Sequence, residues 1–175
     1  MKIALLFLLL ASPAFAQNKF ADTVVAPSCG ADESKFDVKT LKSQHPAAQP
    51  DAQKALVYFI EDDSNYNSIF KPTIRAGLDG GWIGATHGNS YFYFSVAPGE
   101  HHLCASWQPA DDAEKSRTRA LAHFTAEVGH VYYFRVKNHW NGNYGAVDIN
   151  FEPLDSDEGQ LLASTFSFST FHPKK

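Results

Sequence analysis

Two turn signals lie close together in the middle of the chain, and they constrain its fold more than any other feature. Asp79-Gly80-Gly81 is flanked by apolar residues, and an Asp-Gly pair supplies the positive φ angles that tight hairpin turns require. Pro98-Gly99 separates two runs rich in aromatic and β-branched residues, where proline presets φ and glycine accepts the left-handed conformation. We therefore predict a four-stranded antiparallel meander over residues 74–107.

The second turn also predicts a strand register. A hairpin centred on Pro98-Gly99 pairs Phe94 with Leu103 on one face and Tyr93 with Cys104 on the other. The Phe94 face is the more apolar, so we assign it to the core. The Tyr93 face is not plainly polar, and we expect another part of the chain to cover it.

The N-terminus reads as a secretory signal peptide over residues 1–16. Lys2 precedes an apolar run, and Ala14-Phe15-Ala16 places small residues where a signal peptidase cleaves, between Ala16 and Gln17. The apolar run is much shorter than the roughly 20 residues that span a membrane. We expect a periplasmic or secreted protein without a membrane span.

Charge and cysteine content narrow the class further. The sequence has 15 basic and 19 acidic residues, a net charge of −4, which argues against nucleic acid or an anionic membrane as partner. The two cysteines, Cys29 and Cys104, are predicted to form a disulfide in an oxidising compartment. That bond would draw the N-terminal arm over the Tyr93 face.

The mature chain divides into three parts. Residues 17–54 are predicted to form an N-terminal arm with an edge strand, in which lysines alternate with apolar residues. Residues 55–153 form the core of the fold, starting with a strand buried on both faces. Residues 154–175 contain a short helix and a tail, because Asp155 and Glu158 have the spacing of a capping box.

The fold class follows from these elements. A further hairpin is predicted over residues 121–136, and the strand at residues 147–152 alternates apolar with polar side chains. The sequence therefore predicts a single all-β domain, an antiparallel β-sandwich of about seven or eight strands built from hairpins, with a short C-terminal helix.

No residue pattern indicates catalysis, a metal or a cofactor. His101 and His102 are adjacent, so on a strand they point to opposite faces, and no spacing matches a zinc site. No Gly-x-Ser-x-Gly element or phosphate-binding loop is present. Asp62-Asp63 follows the buried strand in a predicted polar loop that begins at Glu61, where solvated charge is the simplest interpretation. We expect the protein not to be an enzyme.

Aromatic residues concentrate on the predicted strands, where core and cross-strand packing explains them. A polar-aromatic set remains in predicted loops: Trp82, Trp107, His139, Trp140 and Tyr144. Exposed tryptophan and tyrosine are favoured at recognition surfaces, which makes this set a possible recognition surface. The alternative is that these rings only cover sheet edges.

Three segments of the predicted meander form a recognisable combination: Leu78-Asp79-Gly80-Gly81-Trp82-Ile83-Gly84, Gly88-Asn89-Ser90-Tyr91-Phe92 and Ala97-Pro98-Gly99-Glu100-His101. Together they resemble a family of bacterial secreted and lipoprotein β-domains of unknown function. They are also similar to the Asp-Gly-x-x-Gly and Pro-Gly-x-His pattern of PEGA-type surface domains. The resemblance implies a small β-sandwich in the cell envelope without an assigned activity. The chain departs from lipidated relatives because no lipobox precedes Cys29.

Three functions remain open at this point. The first is an exported, non-catalytic module that binds a protein or glycan partner. The second is a barrel-like carrier of a small apolar ligand, which a closed aromatic-lined cavity would favour and a filled core would exclude. The third is a metal-dependent enzyme, which requires three ligands that converge on one point.

Overall fold

The computed structural model describes residues 29–31, 33–64, 71–108, 119–140 and 147–174, so the predicted signal peptide lies outside the described part. Within it, ten strands and one helix are present. The strands are β1 Phe36–Leu41, β2 Ala55–Asp62, β3 Thr73–Leu78, β4 Gly81–His87, β5 Ser90–Val96, β6 Gly99–Trp107, β7 Arg119–Ala126, β8 Val131–Trp140, β9 Val147–Leu154 and β10 Ser167–Pro173. The helix, α1, is Ser156–Thr165 and lies between β9 and β10 in the chain.

The strands form two sheets. The six-stranded sheet has the order β1-β10-β5-β2-β8-β9, and the four-stranded sheet has the order β4-β3-β6-β7. The pairs β2–β8 and β10–β5 are parallel, and the other pairs are antiparallel. The predicted all-β sandwich with a short C-terminal helix is confirmed. It has more strands than expected, partly because the C-terminal tail forms β10 between β1 and β5.

Aromatic rings fill the space between the sheets. Phe59 of β2 contacts Phe92 and Phe151 with ring centroids 5.5 and 5.8 Å apart, and Phe134 contacts Phe151 at 5.6 Å. The four-stranded sheet contributes smaller side chains to the same core, among them Ile74. The core is therefore a packed layer.

The other face of the six-stranded sheet is covered by α1. Tyr58, Tyr91 and Tyr133 pack there with Phe166, which follows the helix. The side chain of Asp155 accepts hydrogen bonds from the backbone N–H groups of residues 157 and 158, both at 2.9 Å, so the predicted N-cap is confirmed.

Arg135 of β8 ties the helix to the sheet. Its guanidinium donates to Glu158 of α1 and to Glu152 of β9, the latter at 2.6 Å. Glu158 is therefore engaged with an arginine of the sheet, beyond its part in the predicted capping box. Asp62 at the end of β2 lies 3.9 Å from the same guanidinium.

The Asp79-Gly80 hairpin is confirmed. β3 and β4 pair antiparallel up to Leu78 and Gly81, which leaves Asp79 and Gly80 as the two central residues of the turn. Their φ angles are 49° and 90°, as a type I′ turn requires. Gly81 belongs to the strand, so only one of the two glycines supplies left-handed backbone to this turn.

The predicted Pro98-Gly99 hairpin is wrong. The chain reverses there, but β5 belongs to the six-stranded sheet and β6 to the four-stranded sheet. Tyr93 consequently faces Tyr58 of β2, and Leu103 faces Leu78 of β3. β5 and β6 do not pair with each other, because the turn between them crosses from one sheet to the other.

The hairpin predicted over residues 121–136 is wrong for the same reason. β7 pairs with β6 in the four-stranded sheet, whereas β8 pairs with β2 and β9 in the other. The connection at residues 127–130 therefore also crosses between the layers.

The Cys29–Cys104 disulfide is confirmed, with a Cα–Cα distance of 5.3 Å. Cys104 lies on the outer face of the four-stranded sheet, so the described residues next to Cys29 lie on that face and not over Tyr93, which packs against Tyr58 and Phe168. Trp82 Nε1 donates to the carbonyl oxygen of Ala31 at 2.7 Å and so holds the arm in place.

Candidate functional site

Two acidic residues are buried where β2 ends. Val57 and Phe59 point into the core, and because side chains on a strand alternate, Glu61 continues the same face and Asp63 extends it just beyond the strand. Glu61 is 0% exposed and Asp63 is 1% exposed. Buried carboxyl groups are rare unless they are paired, so this end of the sandwich is the strongest candidate for a functional site.

Asp63 is held by side chains from three other parts of the fold. Asn138 Nδ2 of β8 donates to Asp63 Oδ1, and the backbone N–H of Asp63 donates to Asn89 Oδ1 at 2.7 Å. Trp107 Nε1, at the end of β6, donates to Asn138 Oδ1 at 2.8 Å. Lys71 Nζ donates to the backbone carbonyl of Asp63 at 3.2 Å. The site thus joins both sheets.

Among the described residues, three carboxylate oxygens of this cluster find no hydrogen-bond partner: both oxygens of Glu61 and Oδ2 of Asp63. Burial and the Asp63 carboxylate raise the pKa of Glu61 well above its usual range. Burial also raises the pKa of Asp63, although the hydrogen bond from Asn138 and the charge of Lys71 act in the opposite direction. The two acids therefore do not both carry a negative charge easily in this environment.

The arrangement can perform limited chemistry. A protonated Glu61 can share its proton with Asp63, and a group that brings positive charge or hydrogen-bond donors can satisfy the same oxygens. Thr86 and the backbone of Gly88 are the other polar neighbours of Glu61.

The sequence interpretation missed this site. Glu61 and Asp63 read as solvated loop residues because they follow an apolar run. The available signal was the alternation along β2, which places residues 57, 59, 61 and 63 on one face.

Comparison with known protein families places the chain in a family. The family model described as "Protein of unknown function (DUF2846)" matches residues 51–147, which is more than half of the chain. The chain belongs to this family. The family region starts just before β2 and includes both acids, Trp107 and Asn138. No curated protein and no solved structure matches the chain.

Membership of DUF2846 agrees with the predicted resemblance to a family of unknown function. In the described part of the chain, no helix has the length and apolar character needed to cross a membrane.

The described members of the predicted polar-aromatic set lie in different parts of the fold. Trp82 packs against Arg75, whose guanidinium carbon lies 4.3 Å from the indole centroid, on the outer face of the four-stranded sheet. Trp107 belongs to the acidic end, where it contacts Asn138. His139 is exposed on β8, next to Asn138. Trp140 is the last residue of β8, and Tyr144 lies outside the described residues.

The adjacent histidines point to opposite faces, as the sequence predicts. His101 contacts the core residue Phe124, whereas His102 contacts His123 on the outer face, with ring centroids 5.6 and 5.5 Å apart. Among the described residues, no group of three or more histidine, cysteine, aspartate or glutamate side chains is arranged to hold a metal ion.

His101 also explains part of the recognised motif. Its Nδ1 contacts Asp79 Oδ2 at 2.6 Å, and its Nε2 contacts the carbonyl oxygen of Ala97 at 2.8 Å. Both partners are acceptors, so both contacts form as hydrogen bonds only when the imidazole carries two protons. His101, the histidine of the Pro-Gly-x-His pattern, thereby connects the β5–β6 turn to the Asp79-Gly80 turn. Asp79 has a structural role beyond its own turn.

Proposed function

We propose that the protein is an exported, non-catalytic binding module of the cell envelope or the secreted space, and that it recognises a protein or glycan partner. The observation that carries the proposal is the polar-aromatic composition of the acidic end, where Trp107 and Asn138 lie beside the two carboxyl groups. Recognition sites commonly combine an aromatic ring with a few convergent polar groups. Export is supported by the disulfide, since such bonds persist in oxidising compartments.

The resemblance to PEGA-type surface domains supports the same location. The motif residues Asp79 and His101 are engaged with each other, so they act in the framework. We therefore propose that recognition takes place at the acidic end, on the opposite side of the sandwich from the Asp79 turn, where Trp107 is half-buried and His139 is exposed beside the buried acids.

The two alternatives receive less support. A carrier of a small apolar ligand needs an open interior, whereas the rings of Phe59, Phe92 and Phe151 occupy the space between the sheets. A metal-dependent enzyme needs at least three converging ligands, and the described residues offer no group of three or more histidine, cysteine or acidic ligands.

A matched pair of exposed histidines tests the proposal. His139 lies at the acidic end of β8, and His130 lies just before the opposite end. The exported protein, with its disulfide intact, is immobilised and incubated with a native envelope extract and with purified envelope glycans. We expect a retained partner whose binding is weakened by His139→Ala and unchanged by His130→Ala. Absence of any saturable binding, or equal binding by both variants, would contradict recognition at this end.

A further inference from the structure

The partnerless oxygens of Glu61 and Asp63 need a physical explanation. The Glu61 side chain is fully buried, and within the described part of the chain neither of its oxygens, nor Asp63 Oδ2, has a hydrogen-bond partner, although Thr86 and the backbone of Gly88 lie close enough to favour the charged form of Glu61. A buried polar atom without a partner costs free energy, and two acids at close range repel each other when both are charged. Lys71, which donates to the backbone carbonyl of Asp63, already brings one positive charge to the cluster. The pair of acids persists in the fold when a further positive charge is supplied.

The neighbouring groups indicate which kind of ligand could supply that positive charge. The amide oxygens of Asn89 and Asn138 already accept hydrogen bonds, from the Asp63 backbone and from Trp107. The other polar neighbours of Glu61 are the hydroxyl of Thr86 and the backbone of Gly88. In the described part of the cluster the candidate ligands are therefore oxygen atoms, without sulfur or imidazole. Oxygen ligands select hard cations, which bind one or two carboxylates and complete their shell with hydroxyl, backbone and water oxygens.

We propose that Glu61 and Asp63 bind one hard divalent cation, of the class of Ca²⁺ or Mg²⁺, between the end of β2 and the connection from β4 to β5. Two carboxylates balance the charge of a divalent ion. The proposal does not depend on partner recognition by the module. It departs from the sequence prediction of no metal, because that prediction considered the spacings of histidine and cysteine ligands, whereas two acids on one face of a strand have no such signature.

Binding of the ion alone is the first test. The exported protein, with its disulfide intact and without a His tag, is treated with EDTA and dialysed, and CaCl₂ and MgCl₂ are the probes, with NaCl at equal ionic strength as the reference. We expect one equivalent of Ca²⁺ or Mg²⁺ bound per chain by titration calorimetry. The melting temperature should rise by roughly 5–10 °C at an ion concentration about 100 times the dissociation constant.

Matched variants assign the binding to these residues. Glu61→Gln and Asp63→Asn keep the side-chain volume and remove one charge, and each should weaken binding by about tenfold or more. Asp148 is an exposed acid of β9 that lies opposite His139 in the strand register, and its replacement in Asp148→Asn should leave cation binding unchanged.

Two outcomes overturn the proposal. One is a melting temperature that is the same in EDTA and in millimolar CaCl₂ or MgCl₂, without calorimetric binding, because the acids then hold a proton or a water molecule. The other is binding of equal strength in both cluster variants, because the ion then lies elsewhere.

Discussion

Gly80 and Gly81 are adjacent in the sequence but differ in what their backbone requires. Gly80 has a φ of 90°, a region that a β-branched residue tolerates poorly, and Gly81 is not among the residues with positive φ. Gly80→Val should therefore lower the free energy of unfolding by about 1–3 kcal/mol. Gly81→Val is the control with a smaller loss, since the nearest atom to an added Cβ is the Leu78 carbonyl oxygen at 3.8 Å. Urea unfolding measures both, and equal losses would contradict the assignment of the turn residues.

The Asp79–His101 contact predicts a pH-dependent contribution to stability. Burial lowers the pKa of His101, but the Asp79 side chain and the Ala97 carbonyl raise it by more, so the net pKa lies above 6.5. Burial raises the pKa of Asp79, and the hydrogen bonds from the His102 backbone and the His101 ring outweigh it, so the net pKa lies below 3.8. The histidine contribution is complete below pH 6.5 and is lost as pH rises through the folded pKa. The aspartate contribution is complete above pH 3.8 and is lost as pH falls through its folded pKa.

Asp79→Asn tests this contribution, because asparagine retains the turn conformation and removes the charge. The destabilisation should be greater at about pH 5.5 than at about pH 9, because the histidine contribution is lost as pH rises through the folded pKa of His101. Asp51→Asn, an exposed acid beside Lys54, serves as the control, with little pH dependence over this range. A pH-independent effect of Asp79→Asn would show that the contact to His101 contributes nothing. The sequence alone predicts an almost silent substitution, since only the turn is visible in it.

At the scale of elements, α1 packs so closely on β8 that one helical position has no room for a side chain. Gly159 is buried against Tyr133, and a Cβ built there would lie 2.2 Å from Cγ of that ring. Alanine in a helix is normally favoured over glycine by about 1 kcal/mol. Here Gly159→Ala should instead destabilise the protein by about 1–3 kcal/mol, because the buried ring or the helix must move.

Gln160→Ala provides the matched control for that prediction. Gln160 is exposed on the same helix, so its replacement should leave the melting temperature nearly unchanged or slightly raised. Thermal unfolding of both variants decides between the two effects. A stabilising Gly159→Ala would mean that the helix does not pack closely on β8.

Elements were more predictable from the sequence than their partners. The Asp79-Gly80 hairpin, the strand starting at Ala55 and the Asp155 cap depend on neighbouring residues, and each is confirmed. The residues of the Pro98-Gly99 turn predict only that the chain reverses. Neighbouring residues do not determine whether the strand after the turn pairs within the same sheet or joins the other one. The acidic pair was missed for a related reason, since Asp63 is buried by Asn138 of β8 and by Asn89 of the β4–β5 connection, both distant in the sequence.

At the scale of the whole molecule, the disulfide joins the N-terminal arm to the centre of the four-stranded sheet. Cys104 lies on β6, and the arm continues along the outer face to Ser34, whose carbonyl oxygen accepts a hydrogen bond from Arg75 Nη1 at 2.7 Å. From there the chain enters β1 at the edge of the other sheet, where the backbone of Phe36 bonds to Gln108. The arm thus links the two layers outside the core.

This arrangement predicts a large cost for breaking the bond. The cysteines are 75 residues apart, and in the chain-entropy model a closed loop of that length stabilises the folded state by about 4 kcal/mol. The Cys29→Ser, Cys104→Ser double variant should lose stability of that order in urea, and reduction of the unaltered protein should give a similar loss. The denatured, unreduced protein should contain no reactive thiol. Two thiols per chain would contradict the bond, and a double variant as stable as the oxidised protein would show that Trp82, Arg75 and Gln108 hold the arm without it.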